Sequence, residues 1–208
     1  MRNRILFFCL LLLCIIQNSK AQVTDNFTDG DFTNNPTWVG GTGDWIVNPA
    51  FQLQSNNTIA NSTYYLSSVN TLATSAQWEF YCQLTFNPSS ANYVDVYLTA
   101  SASNITLSAT TGYFVRIGNT DDEISLYRKD ATGAAVKIID GVNGILNSSS
   151  NVMKIKVFRN TANQWNLSRD LSGTGASYFN EGVVTDATYL TSAFFGLLVK
   201  QSTASFFQ

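Results

Sequence analysis

Histidine is absent from this 208-residue chain. Its absence removes Ser-His-Asp and Cys-His nucleophilic pairs, His-ligated zinc and most general-base schemes near neutral pH. Cysteine is scarce: Cys9, Cys14 and Cys82 are the whole complement. Charge is scarce too, at 12% of residues with a net charge of -2. No basic stripe of the kind that binds nucleic acid runs along the chain. Serine, threonine and asparagine supply the polar surface instead. No Pro/Gly-rich linker divides the chain, no repeat of solenoid period runs through it, and no useful window carries a convincing 3.6-residue apolar period. These gaps leave one domain without a helical core.

The first residues read as an export signal. Arg2 and Arg4 precede an almost unbroken apolar run from Ile5 to Ile16, and Ser19-Lys20-Ala21 closes it in a small-x-small pattern. The run is shorter than the roughly 20 residues of a membrane span, so cleavage after Ala21 is expected and leaves no span. A lipid-anchored cysteine wants a small residue before it, whereas Cys14 follows Leu13, which favours simple cleavage. Residues 1–21 are read as a signal peptide and 22–208 as one domain. Cleavage takes two cysteines with it, and Cys82 alone can form no internal disulfide. Export without disulfides fits a bacterial protein that is secreted or held at the cell surface.

Period-2 alternation dominates the rest of the chain. The even positions from Trp78 to Phe86 are all apolar and the odd ones mostly polar, which predicts a half-buried strand. Further strands are predicted at Tyr93–Ser101, Gly112–Gly118, Glu123–Lys129, Ala134–Asp140, Met153–Asn160, Gln164–Ser172 and, centrally placed, Phe194–Gln201. Weaker ones fall at Asn26–Phe32, Trp45–Val47, Phe51–Gln54 and Thr63–Ser67, and one short helical turn near Thr185–Leu190. Many short strands at turn-punctuated spacing predict an all-β antiparallel sandwich of the jelly-roll kind. Ser205-Phe206-Phe207-Gln208 reads as the opening of a strand, so the domain is expected to be C-terminally truncated and to lack its last strand.

The candidate chemistry is sparse. Glycoside hydrolysis needs two carboxylates roughly 5 to 9 Å apart. No Glu-x-Asp-x-Glu run supplies them, and Glu79 and Asp95 are isolated outward positions that could pair only across strands. Asp29-Gly30-Asp31 and Asp121-Asp122-Glu123 are candidate structural-calcium sites, since hard cations take several oxygens from a tight loop. Asp and Gly are equally the residues of ordinary turns. No cofactor is required by anything in the sequence.

Aromatic residues carry the remaining cue. If the even positions of the Trp78 strand face the core, Tyr81 faces away from it. By the same parity Tyr97, Phe114, Arg116 and Tyr127 lie opposite Val96, Val115 and Leu126. These five residues form a candidate ligand-binding face, with rings to stack on sugars and Arg116 to bond hydroxyls. The alternative is that other elements cover this face and the rings are packing. Trp38, Trp45 and Trp165 are expected in the core or its rim.

Two stretches resemble a known family. One is Asp25-Asn26-Phe27-Thr28-Asp29-Gly30-Asp31-Phe32 with Asn35-Pro36-Thr37-Trp38 and Gly43-Asp44-Trp45. The other is Gly112 to Gly118 leading into Ile124-Ser125-Leu126-Tyr127-Arg128. Together they resemble the N-terminal concanavalin-A-like domain of large secreted bacterial surface proteins, which often continue into lamin-tail or other adhesive domains. The resemblance implies a lectin- or glucanase-type jelly roll and further domains of the same protein. It transfers no catalytic residue, because the glucanase carboxylate motif is absent. The leading expectation is a non-catalytic extracellular binding or adhesion module for glycan or another surface polymer. A structural spacer and a glycoside hydrolase with a cross-strand carboxylate pair are the alternatives.

Overall fold

The computed structural model describes residues 23–202. The expected signal peptide at residues 1–21 and the expected strand opening at Ser205–Gln208 lie outside the described residues. Thirteen strands make up the described fold. They are β1 (Trp38–Gly40), β2 (Trp45–Val47), β3 (Leu53–Ser55), β4 (Ser62–Val69), β5 (Ala76–Leu84), β6 (Tyr93–Ala100) and β7 (Gly112–Gly118). The chain continues with β8 (Glu123–Lys129), β9 (Val136–Ile139), β10 (Asn151–Arg159), β11 (Gln164–Asp170), β12 (Phe179–Thr185) and β13 (Phe194–Gln201). A seven-stranded sheet has the order β1-β4-β13-β6-β7-β8-β9 and faces a four-stranded sheet of order β12-β11-β10-β5; β2 and β3 form a separate hairpin. Every pairing is antiparallel. The architecture is a jelly-roll β-sandwich.

Alternation explains how the layers meet. Trp78 and Leu84 of β5, Met153, Ile155 and Val157 of β10, and Trp165 and Leu167 of β11 point inward from the smaller sheet. Val96 and Leu98, Tyr113, Val115 and Ile117, and Ile124 and Leu126 meet them from the larger one. Each such aliphatic side chain contributes about 1.5–3 kcal/mol by leaving water. Trp78 and Trp165 stack with centroids 5.7 Å apart across this layer. A second cluster packs Phe32, Trp38 and Trp45 against Tyr64, Leu66 and Val199. Trp38, Trp45 and Trp165 are therefore core residues.

Three expectations need correction. Asn26–Phe32 forms turns rather than a strand, because Asp25, Asn26, Asp29 and Asp31 each accept the backbone N–H two residues on. Thr185–Leu190 is not helical: β12 ends there, and Asp186 accepts the Thr188 N–H in the same kind of local turn. β1 and β12 are strands that the pattern did not mark. β12 lies at a sheet edge, its apolar residues Phe179 and Val183 are exposed, and Asn180-Glu181-Gly182 interrupts its alternation beside a bulge at Leu167/Ser168.

Candidate functional site

The outer face of the seven-stranded sheet is built in rows by strand register. The first row is Thr63, Lys200 and Tyr93; the second is Tyr65, Leu198, Asp95, Arg116 and Ser125; the third is Ser67, Gly196, Tyr97, Phe114, Tyr127 and Lys137. In the third row the rings of Tyr97 and Phe114 stack at 4.9 Å, and those of Phe114 and Tyr127 at 5.2 Å with 7° between planes. Four of the five expected face residues thus come together. They are not an exposed platform: Tyr97, Phe114 and Tyr127 are 3%, 1% and 7% exposed.

The cover comes from the connection between β6 and β7. Ile105 is fully buried there and packs with Tyr97, Phe114, Tyr127 and Leu198 in a third apolar cluster. Gly196 makes room for it, since a Cβ at that position would stand 3.0 Å from Ile105 Cδ1 and 2.9 Å from the Leu66 carbonyl. Asn104 shapes the loop by accepting from the Thr106 N–H and hydroxyl, and Thr110 Oγ1 donates to the Asn104 carbonyl.

The second row stays partly open. Arg116 Nε and Nη2 each donate to Asp95 at 2.7 Å in a bidentate pair, and the guanidinium lies over Tyr93 at 4.2 Å and near Phe114 and Tyr127 at 5.3 and 5.2 Å. Burial pushes the Asp95 carboxyl up and the facing guanidinium pulls it back, whereas the Arg116 guanidinium is held above its ordinary range by Asp95 despite its own burial. The two parallel donor contacts give the pair a fork geometry that fixes the guanidinium in place. Burial also pushes the Tyr93, Tyr97 and Tyr127 hydroxyls up.

A pit of about 240 Å³ opens over this pair. Tyr97, Phe114 and Leu198 form its apolar floor, and Tyr93, Asp95, Arg116, Thr63, Thr106 and Lys129 its polar wall. Among the described residues Arg116 Nη1 has no hydrogen-bond partner, so one guanidinium donor is left over. The volume lies just below the usual range for small-molecule sites and suits one ring-sized group. Parity marked Tyr97, Phe114 and Arg116. It missed Tyr93, which alternation places on the same side as Asp95, and Ile105 and Thr106, which arrive by long-range loop folding.

Tyr81 does not belong to this face. It sits on β5 in the other sheet, 46% exposed, and donates to Gln83 Oε1 at 3.3 Å. Glu79 is on the same outer side of β5, paired with Lys154 at 2.7 Å. Glu79 and Asp95 therefore occupy opposite outer surfaces and cannot flank one bond.

The Asp29–Asp31 turn uses carboxylate oxygens internally, whereas in the Asp121–Glu123 turn Asp122 Oδ1 and Glu123 Oε2 are buried without a hydrogen-bond partner among the described residues. Asp31 accepts from Thr33 and Asn34, and Asp29 from the Asp31 N–H. In the second cluster the Lys137 ammonium lies 2.6 Å from Glu123, 2.6 Å from Asp140 and 3.4 Å from Asp121, occupying the position among carboxylates that a cation would take. Asp122 takes no part in that contact set, and burial together with the neighbouring Asp121 carboxylate pushes its own carboxyl up. Among the described residues no group of three or more His, Cys, Asp or Glu is placed to hold a metal ion.

No protein-family model matches the chain, and no curated protein matches it. Solved structures do match in fold. The metal-free carbohydrate recognition domain of Emp46p aligns with TM-score 0.60 at 10% identity, covering 89% of this chain and 90% of that one. A legume lectin-like domain from Entamoeba histolytica aligns with TM-score 0.53 at 13% identity, covering 89% and 94%. The exoplasmic/lumenal domain of VIP36 in its Ca2+/Man-bound form aligns with TM-score 0.53 at 10% identity, covering 79% and 75%. The sandwich of this chain is similar to legume-lectin-like domains in fold, in keeping with the concanavalin-A-like jelly roll expected from its sequence.

Proposed function

We propose that this chain is an extracellular carbohydrate-binding module and that the pit over Asp95 and Arg116 takes one sugar unit. The pit itself carries the reading: a fixed guanidinium with a spare donor, the half-buried Tyr93 ring, and hydroxyls from Tyr93, Thr63 and Thr106 meet at one opening. A neutral polyol suits such a surface, because its C–H groups pack against the accessible edge of Tyr93 while its hydroxyls exchange hydrogen bonds with the wall. Three structures of the same fold lend support: one is described as a carbohydrate recognition domain, one as legume lectin-like, and one was solved with mannose and calcium. Asp95 orients Arg116, and Arg116 bonds the ligand; no chemical step is assigned to either.

The test is retention of the purified chain on a panel of glycans and polysaccharides, with and without calcium. Retention on one polymer class, lost in Tyr93→Ala, is the expected result. Silence across the panel from a folded sample overturns the proposal. It would favour the second reading, a structural spacer within a larger surface protein, for which the burial of the ring row under Ile105 already speaks.

A further inference from the structure

A sugar ring accounts for the hydroxyls of the pit and for Tyr93, but not for the charge around them. Acidic side chains outnumber basic ones in this chain, and most of the basic ones are paired. Arg116, Arg128, Lys137, Lys154 and Arg169 each meet a carboxylate. Arg159 is fully buried and donates to backbone carbonyls. Among the described residues three lysines remain. Lys156 lies over the Tyr178 ring, on the four-stranded sheet. The other two stand at the pit. Lys129 is part of its wall, and Lys200 is in register with Tyr93, its ammonium 5.5 Å from the centre of that ring. They donate to the backbone carbonyls of Ser108 at 3.5 Å and Ser90 at 3.3 Å, and among the described residues neither meets a carboxylate.

We propose that the glycan taken at this pit is anionic, a polymer whose units carry carboxylate or sulfate groups. One acid group accepts from the spare Arg116 Nη1, and those of neighbouring units meet Lys129 and Lys200. The proposal rests on the sugar reading of the pit and names the class of sugar. Donors and acceptors are out of balance there. The one carboxylate in the wall, Asp95, already accepts from Arg116 with both oxygens, whereas Arg116 Nη1 and two ammonium groups still have donors to give. Hydroxyls of a neutral sugar bring donors as well as acceptors. A carboxylate or sulfate brings acceptors alone and matches the surplus. The lysines are spaced for a polymer rather than for a single unit. Lys200 shares its row with Tyr93, Gly118 and Glu123, and Lys129 is six residues beyond Glu123 on β8. At about 3.3 Å per residue their backbones lie roughly 20 Å apart along the strands, with the pit between them. The carboxylates of Asp121, Glu123 and Asp140 surround Lys137. Glu123 stands two strands from Tyr93, about 10 Å away, where Lys137 and salt screen it from the pit.

Three galactose-based polymers on one support test it: polygalacturonate, its carboxyl-reduced neutral form, and carrageenan as the sulfated member. Retention of the purified chain on one charged polymer should exceed that on the neutral form about tenfold and should fall in Tyr93→Ala. Which charged polymer retains the chain identifies the acid group. Lys129→Gln and Lys200→Gln should each weaken retention about two- to fivefold, as exposed ion pairs do, and together about tenfold. Lys156→Gln removes the same charge from the other sheet and should leave retention unchanged. Equal retention on the neutral form, still lost in Tyr93→Ala, overturns the anionic class and leaves the sugar reading intact. Retention on a charged polymer that Lys156→Gln weakens as much as the pit lysines do marks adsorption by net charge and overturns it too. Silence on both charged polymers, while other members of the glycan panel retain the chain, has the same consequence. Only silence across the whole panel removes the sugar reading itself, and the proposal with it.

Discussion

Phe114→Ala separates a packed row of rings from a sugar-stacking platform. Phe114 is 1% exposed and lies between Tyr97 and Tyr127 at stacking distances, beneath Ile105. Truncating a buried Phe to Ala costs about 3–5 kcal/mol, and each lost ring pair adds to the transfer cost. The upper part of that range is expected here, because neighbours on both sides lose their partner and the β-sheet backbone cannot collapse into the gap. A domain of this size holds about 5–15 kcal/mol in total, and each kcal/mol moves Tm by about 2–4 °C. Phe114→Ala should therefore lower Tm by roughly 8–20 °C. Urea denaturation followed by tryptophan fluorescence should show a lower midpoint at unchanged slope. A loss under about 1 kcal/mol would refute the burial argument and return Phe114 to the surface.

Arg159 is fully buried, donates to the carbonyls of Ala73, Tyr189 and Asp186, and lies over Trp165 at 4.6 Å. Arg159→Met should cost about 3 kcal/mol by denaturation, since it leaves three carbonyls without their charged donor while relieving one buried charge. Asp186 is held at about 2: burial alone would raise it, but bonds from Tyr113, Thr188 and Arg128 more than offset that. Its folded value lies below the unfolded one, so its contribution is present above pH 4 and is lost as pH falls from about 4 to 2. Asp186→Asn should flatten the stability-against-pH curve in that window. Lys137→Met should cost about 1–2 kcal/mol by stranding the buried Glu123, whereas Asp140→Asn, at an exposed partner, should cost under about 0.5 kcal/mol; paired urea titrations check both.

The strands whose apolar residues alternate against a buried sheet were legible. Glu123–Lys129, Gly112–Gly118, Trp45–Val47 and Phe194–Gln201 fall where the pattern puts them. β12 was not legible, because an edge strand exposes both faces and leaves no alternation to read. At Asp25–Asp31 the apolar pattern misled, since side-chain carboxylates and amides captured the backbone before a ladder could. Parity placed Tyr97, Phe114, Arg116 and Tyr127 on one side of their strands but could not say which sheet Tyr81 joins. Nor could it show that the 101–111 loop folds back, a contact decided by Gly196 nearly a hundred residues away. Lys137 lies among the carboxylates of Asp121 and Glu123 through the pairing of β8 with β9, which local sequence does not reveal.

The most direct test of the carbohydrate-binding claim is glycan-panel retention of the wild-type chain beside Tyr93→Ala and Tyr81→Ala. Tyr93 borders the pit, and Tyr81 is exposed on the opposite sheet. The account expects wild-type retention on one polymer class, a loss of about tenfold in Tyr93→Ala, and no change in Tyr81→Ala. Retention that survives Tyr93→Ala and disappears in Tyr81→Ala would contradict it and move the binding surface to the four-stranded sheet.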